Sequence, residues 1–140
     1  MHAPERALVE APDGEIVALV AAGQREAFEV LVRRHNQRLF RAVRAVMRSD
    51  PEAEDVLQQA WLDIYHHLAQ FRGDAAFSTW ATAETATCLG ISDEAVRVRL
   101  HRARAAVAAT LAEKMIDKLY AFAGDRCNRM TRNVMAAVML

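Results

Sequence analysis

The 140-residue sequence has few residues that interrupt helices and no strand signals. Proline occurs only at positions 4, 12 and 51, and there are five glycines. No apolar run reaches the length needed to cross a membrane, because each one is interrupted by Arg, Glu or His. Residues 1–12 do not show a basic start followed by an apolar run, which argues against a secretory signal. We therefore expect a helical protein that is located in the cytoplasm.

Cysteine is scarce as well, and residues arranged for catalysis are missing. Cys88 and Cys127 are far apart and do not have the spacing of metal ligands. There is no glycine-rich phosphate loop and no nucleophile elbow. The neighbouring His66 and His67 point about 100° apart on a helix, so one metal ion cannot readily bind both. We expect no catalytic residue, no metal site, no cofactor and no enzymatic activity.

Net charge is zero, but charge is distributed unevenly along the chain. Residues 25–48 contain seven arginines and two glutamates, whereas residues 49–70 contain five acids and no Lys or Arg. Residues 97–104 contain four arginines and no acid. The neutral average thus conceals two basic surfaces and one acidic surface.

Helical periodicity predicts two helices in the basic N-terminal part. A short helix follows Asp13 and stops near Gly23, and a second runs from about Arg25 to Met47. The apolar stripe of the second helix consists of Phe28, Leu31, His35, Leu39, Val43 and Val46.

A third, acidic helix is predicted from Pro51 to about Gln70, with Ser49 or Asp50 as its cap. Its buried positions are Ala53, Leu57, Ala60, Trp61, Ile64 and Leu68. Its outer face carries Asp55, Gln58, Gln59, Leu62 and His66. An apolar side chain among these polar residues indicates a docking surface; the alternative is a single exposed leucine without functional meaning.

The segment after a glycine-containing loop predicts a helix-turn-helix. Ser78 is expected to cap a helix that ends at Cys88, and the letters LGIS form the turn before an arginine-rich second helix. The characteristic spacing is that of Ala86, Gly90 and Val96. Arginines on the second helix suit phosphates or guanine edges in the major groove. The alternative is a solvated basic helix in an ordinary bundle. Residues 125–140 are predicted to form a last, weakly amphipathic helix.

Three stretches carry a resemblance to a known family. EAFEVLVRRHNQRLFRAVRAVMRSDPEAEDVLQQAWLDIYHHLAQFRGDAAFSTW resembles region 2 of the extracytoplasmic-function sigma factors of bacterial RNA polymerase. ETATCLGISDEAVRVRLHRARAA resembles the second half of their region 4, and AFAGDRCNRM is similar to the C-terminal tails of one subset. The resemblance implies an all-α fold, in which a region 2 helical bundle is joined to a truncated region 4 helix-turn-helix. The segments are then a leader (1–12), region 2 (13–80), partial region 4 (81–110) and a helical tail (111–140).

The resemblance also implies three binding sites. Residues implied to bind the β′ clamp helices of the polymerase core are Asp55, Gln58, Gln59 and Leu62. The loop implied to hold a base flipped from the −10 element consists of Arg72, Gly73, Asp74, Ala75, Ala76 and Phe77. The helix implied to read the −35 element carries Glu94, Arg97, Val98, Arg99, His101, Arg102 and Arg104.

The junction after Trp80 departs from the family pattern. There the family has a long helix with basic and Asn-type residues, then a linker and the first helices of region 4. In this sequence Trp80 runs directly into ATAETA, which indicates that an internal segment is missing. Residues 78–88 can still form one helix that fuses the two parts, and Glu84 is expected to repel DNA phosphates.

The implied function is promoter recognition and transcription initiation as a dissociable polymerase subunit, impaired in promoter opening by the missing segment. The implied partners are core polymerase, promoter DNA and an anti-sigma factor. One alternative is a protein that binds core polymerase or an anti-sigma factor without opening promoters. The other is a small helix-turn-helix regulator that acts without polymerase.

Overall fold

A computed structural model of the chain describes residues 8–90, 98, 101, 102, 105 and 124–140. Within these residues the protein is helical and contains no β-strand, as the sequence predicts. The five α-helices with described bounds are α1 (Asp13–Ala21), α2 (Phe28–Arg44), α3 (Asp50–His66), α4 (Phe77–Leu89) and α5 (Asp125–Val138). Short 3₁₀ turns, Arg25–Ala27 and Leu68–Gln70, precede α2 and follow α3.

Helix α1 is joined to α2 by one carboxylate. Asp13, in the first turn of α1, accepts from Arg34 Nη1 at 3.0 Å and lies 2.9 Å from His35 Nε2. His35 is therefore half-buried and paired, although the periodicity places it in an apolar stripe. The chain leaves α1 through Gly23, whose φ of +104° is accessible to glycine at little cost. The predicted stop of this helix is confirmed.

Helix α2 is shorter than the predicted helix at both ends. Residues 25–27 form a 3₁₀ turn, and the α-helix ends at Arg44, so Val46 lies beyond it. Phe28, Leu31, Leu39 and Val43 of the predicted stripe are buried, whereas His35 is half-buried. Other buried residues of α2 are Val32, Asn36 and Phe40.

Helix α3 begins where the sequence predicts. The Ser49 side chain accepts a hydrogen bond from the backbone N–H of Glu52 at 3.3 Å, and Pro51 occupies the first turn. The predicted buried stripe is confirmed, with Trp61 fully inaccessible to solvent. The α-helix ends at His66, and the 3₁₀ turn places Leu68 in the core.

Helix α4 is continuous across the junction after Trp80. It starts after Ala76 and ends at Gly90, whose φ is +72°. The predicted cap at Ser78 is wrong, because Ser78 lies inside the helix and its carbonyl accepts from Thr82 Oγ1 at 2.7 Å. Ala86 packs against Ala42 of α2, so this half of the junction is part of the bundle.

Helix α5 packs against both α2 and α3. Its buried apolar residues Met130, Val134 and Val138 belong to the same core cluster as those of α1 to α4. Arg132 and Asn133 lie on its exposed side, so the helix is more clearly amphipathic than predicted. The core thus combines residues that the sequence assigns to region 2 and to the tail. The segment boundaries themselves stay a prediction.

Candidate functional site

The outer face of α3 is the first candidate surface. Asp55 and Gln59 are exposed, whereas Gln58 and Leu62 are half-buried. Successive residues of an α-helix are about 100° apart, which places these four side chains on one side, away from the buried stripe. The structure therefore brings the four predicted docking residues together on one face. Gln59 Nε2 donates to Asp63 Oδ1 at 3.1 Å, which orients the amide along the helix.

Leu62 is less accessible than its polar neighbours suggest. It is packed against the main core cluster, and its carbonyl oxygen lies 2.7 Å from His66 Nδ1. Its side chain thus presents a partial apolar surface at the edge of the face.

The interior of the bundle holds this face rigidly. Trp61, on the buried side of α3, donates from Nε1 to Asn36 Oδ1 of α2 at 2.9 Å. Phe28 contacts the Trp61 ring edge to face, with 5.8 Å between centroids, and the Tyr65 ring at 5.2 Å. Edge-to-face pairs of this kind stabilise one relative position of two helices.

The loop between α3 and α4 is the second candidate surface. It borders a shallow cavity of about 160 Å³, lined by Gln70, Phe71, Arg72, Gly73, Asp74, Ala75 and Trp80. Residues 72–76 are exposed, and Gly73 has a φ of +81°. Phe77 is different from the rest of the predicted loop, because it is buried as the first residue of α4.

Aromatic side chains form the apolar wall of this cavity. The Phe71 and Trp80 rings are 5.5 Å apart, and Phe77 lies behind them at 5.6 Å and 5.9 Å. Half-buried Phe71 and Trp80 offer the kind of surface on which a nucleic-acid base stacks. Neither residue is among the sequence-predicted site residues. The signal that could have found them is two aromatic residues flanking a glycine-containing loop.

The junction helix offers this cavity no positive charge. Between Phe77 and Gly90 the sequence contains no Lys or Arg. The Glu84 carboxylate has a partner, because its Oε2 lies 2.9 Å from His67 Nδ1. The carboxylate is thus held at the end of α3, and the expectation that Glu84 repels DNA phosphates stays a prediction.

A thiol and a carboxylate meet where α4 packs against α3. Burial, together with the negative charge and the hydrogen bond of Asp63, raises the pKa of the Cys88 thiol. Cys88 is therefore a protonated, weakly nucleophilic cysteine near neutral pH.

The third candidate surface is only partly described. Val98, His101 and Arg102 have helical backbone and are exposed, as the recognition-helix prediction requires. The other predicted −35 residues, Glu94, Arg97, Arg99 and Arg104, lie outside the described residues.

No metal centre is found in the parts of the chain that the structure describes. These residues contain no group of three or more His, Cys, Asp or Glu side chains that could hold a metal ion. His66 and His67 instead pair with the Leu62 carbonyl and with Glu84. None of the described helices is long and apolar enough to cross a membrane.

Comparisons with known proteins agree with the geometry of α2 to α4. Residues 31–84 match the family described as Sigma-70 region 2. The ECF RNA polymerase sigma factor SigM of Mycobacterium tuberculosis is 42% identical over 71 residues, which are 51% of this chain and 36% of the relative. The RNA polymerase sigma-H factor of Pseudomonas aeruginosa is 34% identical over 73 residues, which are 52% of this chain and 38% of the relative.

The ECF RNA polymerase sigma-E factor of Escherichia coli is 37% identical over 68 residues, covering 49% of this chain and 35% of the relative. The chain thus spans little more than a third of the length of these curated relatives. No solved structure matches the chain significantly. Residues 31–84 thus resemble a sigma-70 region 2 domain, and they lie in the helices that carry both the outer face of α3 and the loop cavity.

Proposed function

We propose that this chain is a sigma-type subunit that binds core RNA polymerase through α3 and acts in promoter recognition. The observation that carries the proposal is the single face formed by Asp55, Gln58, Gln59 and Leu62 on a helix whose other side is buried. Its expected partner is the pair of β′ clamp helices. On this reading the chain works in the cytoplasm, where the polymerase acts, and performs no chemistry itself.

The face has the properties of a protein-binding surface. A partly buried leucine surrounded by one carboxylate and two amides can bury apolar area while pairing polar groups at the rim. The Trp61–Asn36 hydrogen bond fixes the opposite side of α3, so little order has to be gained on binding.

A binding measurement with core polymerase tests the proposal. The double variant Asp55→Ala/Gln58→Ala should bind core polymerase at least about tenfold more weakly than the parent chain, which corresponds to about 1.4 kcal/mol. The matched control is Gln24→Ala/Glu26→Ala, which removes the same two functional groups from exposed positions before α2. Equal affinities of the two double variants would contradict the proposal.

The loop cavity supports a role in contact with single-stranded promoter DNA. Its aromatic wall, Phe71 and Trp80, would stack with an extruded base, and Arg72 at the rim would contact a phosphate.

The predicted recognition helix, with Arg102 exposed, would contact duplex DNA. An anti-sigma factor is a further proposed partner, and would compete for the surfaces that bind polymerase.

One observation favours a second candidate, a protein that binds core polymerase without opening promoters. Helix α4 runs without interruption from Phe77 to Leu89 and has no basic side chain with which to hold melted DNA. Run-off transcription with reconstituted polymerase distinguishes the two functions, because only the first yields a transcript. A regulator that acts without polymerase is distinguished by the binding measurement above.

A further inference from the structure

Helix α5 is attached to α3 by a network of ion pairs. Arg126 Nε lies 3.1 Å from Glu54 Oε1, and Arg126 Nη2 lies 3.2 Å from Asp50 Oδ2. Arg129 Nη2 lies 2.9 Å from the other oxygen of Glu54. At the end of α2, Arg44 Nε lies 2.8 Å from Asp50 Oδ1. Three arginines from two elements therefore converge on two carboxylates in the first turns of α3.

The apolar side of α5 enters the groove between α2 and α3. Met130, Val134 and Val138 are buried there at intervals of four residues, which is one turn of helix. At the N-terminal end, the Arg126 guanidinium lies 4.9 Å from the centroid of the Phe40 ring. Asn36 Nδ2 lies 3.5 Å from Cys127 Sγ, so the groove recognises α5 through both apolar and polar contacts.

Most of the shared core comes from the rest of the bundle. Of the described residues in the main core cluster, 17 lie between positions 16 and 81, and only three are on α5. The match to region 2 ends at residue 84, and residues 91–123 separate α4 from α5 in the sequence. An isolated helix as short as α5, with 14 residues, is marginal in water, so its order depends on the groove.

We propose that the groove between α2 and α3 is a helix-binding site and that α5 is its intramolecular, reversibly bound ligand. The ligand class is an amphipathic helix with two arginines three positions apart, followed by aliphatic residues on three successive turns. Asp50 and Glu54 select the arginines, and the groove selects the aliphatic side chains. This proposal does not depend on the proposed polymerase function.

The site lies beside the docking face of α3. With about 100° between successive helix residues, Glu54 is about 100° from Asp55, about 140° from Gln59 and about 80° from Leu62 around the axis. Gln58 is nearer, at about 40°. A helix that contacts α3 through Asp50 and Glu54 therefore leaves Asp55 and Gln59 open, whereas Gln58 and Leu62 lie nearer to it.

Hydrogen exchange on the intact chain tests the reversible docking. Amides in the middle of α5 should exchange at least about tenfold faster than those of the buried turns of α2 and α3, because a local opening releases α5 first. If the amides of α5 exchanged at the same rate as those of α2 and α3, α5 would be an inseparable part of the core. That result would overturn the proposal.

A peptide of residues 124–140, kept reduced, tests the groove in trans. The full-length Val134→Asp variant should release its own α5 and bind the labelled peptide at least about tenfold more tightly than the parent chain, whose tethered helix competes for the groove. The matched control peptide carries Arg129→Glu and should lose that binding. Absence of peptide binding to a folded Val134→Asp chain would contradict the proposal.

Exchanging the charges of Glu54 and Arg129 provides a second test, which does not require the Val134→Asp variant to fold. The full-length Glu54→Arg variant should show faster exchange of α5 amides than the parent chain, because Arg126 and Arg129 then face a like charge. Combining Glu54→Arg with Arg129→Glu should slow that exchange again. No recovery in the double variant would exclude the ion pair as a recognition element.

Discussion

Trp61 Nε1 donates a hydrogen bond to Asn36 Oδ1 at 2.9 Å, and both side chains are completely buried. The same Asn36 amide contacts Cys127 Sγ through Nδ2, so one residue of α2 joins α3 and α5. A buried amide in a core is tolerated because both of its ends are satisfied. The relationship fixes the rotation of α3, and with it the direction in which the docking face points.

Removing this amide should destabilise the whole bundle. Asn36→Ala leaves the indole N–H without an acceptor and creates a small cavity, which should cost about 1–3 kcal/mol of unfolding free energy. Urea unfolding followed by circular dichroism measures the change. The neighbouring Gln37→Ala serves as the control and should be nearly neutral. A cost for Asn36→Ala below about 0.5 kcal/mol would mean that the hydrogen bond is not structurally important.

The two serines at predicted helix starts should behave differently. Ser49→Ala removes the side chain that accepts from the Glu52 N–H and should cost about 1 kcal/mol in the same unfolding experiment. Ser78→Ala should be close to neutral, because the Ser78 side chain caps nothing. Equal costs for the two variants would contradict the observed start of α4 at Phe77.

Binding of duplex DNA is expected to be weak and strongly dependent on salt. Each arginine that neutralises a phosphate adds about 0.9 to the slope of log K against log salt concentration. Arg102→Ala should therefore lower that slope by about one unit in fluorescence anisotropy titrations. Arg48→Ala, an exposed arginine after α2, is the control and should leave the slope unchanged. Tight binding with little response to salt would rule out this mode of contact.

Promoter opening by a reconstituted holoenzyme should fail or be severely impaired. Extruding a base costs a few kcal/mol, and the surrounding phosphates must be held while it happens. The Phe71–Trp80 wall offers stacking, but α4 offers no basic residue and its Glu84 adds negative charge nearby. A permanganate footprint on a cognate promoter measures opening. Thymines in the −10 region as reactive as with a full-length relative would disprove this prediction.

Cys88 should react slowly with alkylating reagents. Its pKa is raised by burial and by the Asp63 carboxylate, both of which disfavour the thiolate, so less thiolate is present at a given pH. Asp63→Asn removes the charge and should lower the pKa, which increases the rate of iodoacetamide labelling at pH 8. Both chains should carry Cys127→Ser, so that only one thiol is followed. A slower reaction of Cys88 in the Asp63→Asn chain would contradict this prediction, because removal of the negative charge should favour the thiolate.

Much of the bundle could be predicted from local signals. The start of α3 follows from Ser49 and Pro51, and the buried stripe around Trp61 follows from helical spacing. Gly23 and Gly90 mark helix ends because their positive φ values suit a residue without a side chain. The grouping of Asp55, Gln58, Gln59 and Leu62 on one face is likewise a consequence of the 3.6-residue period.

Contacts between distant segments could not be predicted in this way. Periodicity identifies an apolar side of α5, but it does not say which groove receives that side. Nor does it show that Glu54 pairs with Arg129, 75 residues away. The same limit explains His35, which lies on an apolar stripe yet pairs with Asp13, and Phe77, which lies in a loop motif yet is buried.

The sequence by itself therefore determined most of the helices, the start of α3, the glycine ends of α1 and α4, and the grouping of the four predicted docking residues on one face. These features depend on neighbours within about one helical turn. Only the tertiary structure decided that the residues after Trp80 continue α4 and that α5 returns to the groove of α2 and α3. Both outcomes depend on side chains far apart in the chain burying one another, and on whether polar groups such as Asn36 and Glu54 find partners there. These contacts depend on the free energy of the whole packed bundle, which cannot be predicted from any single segment.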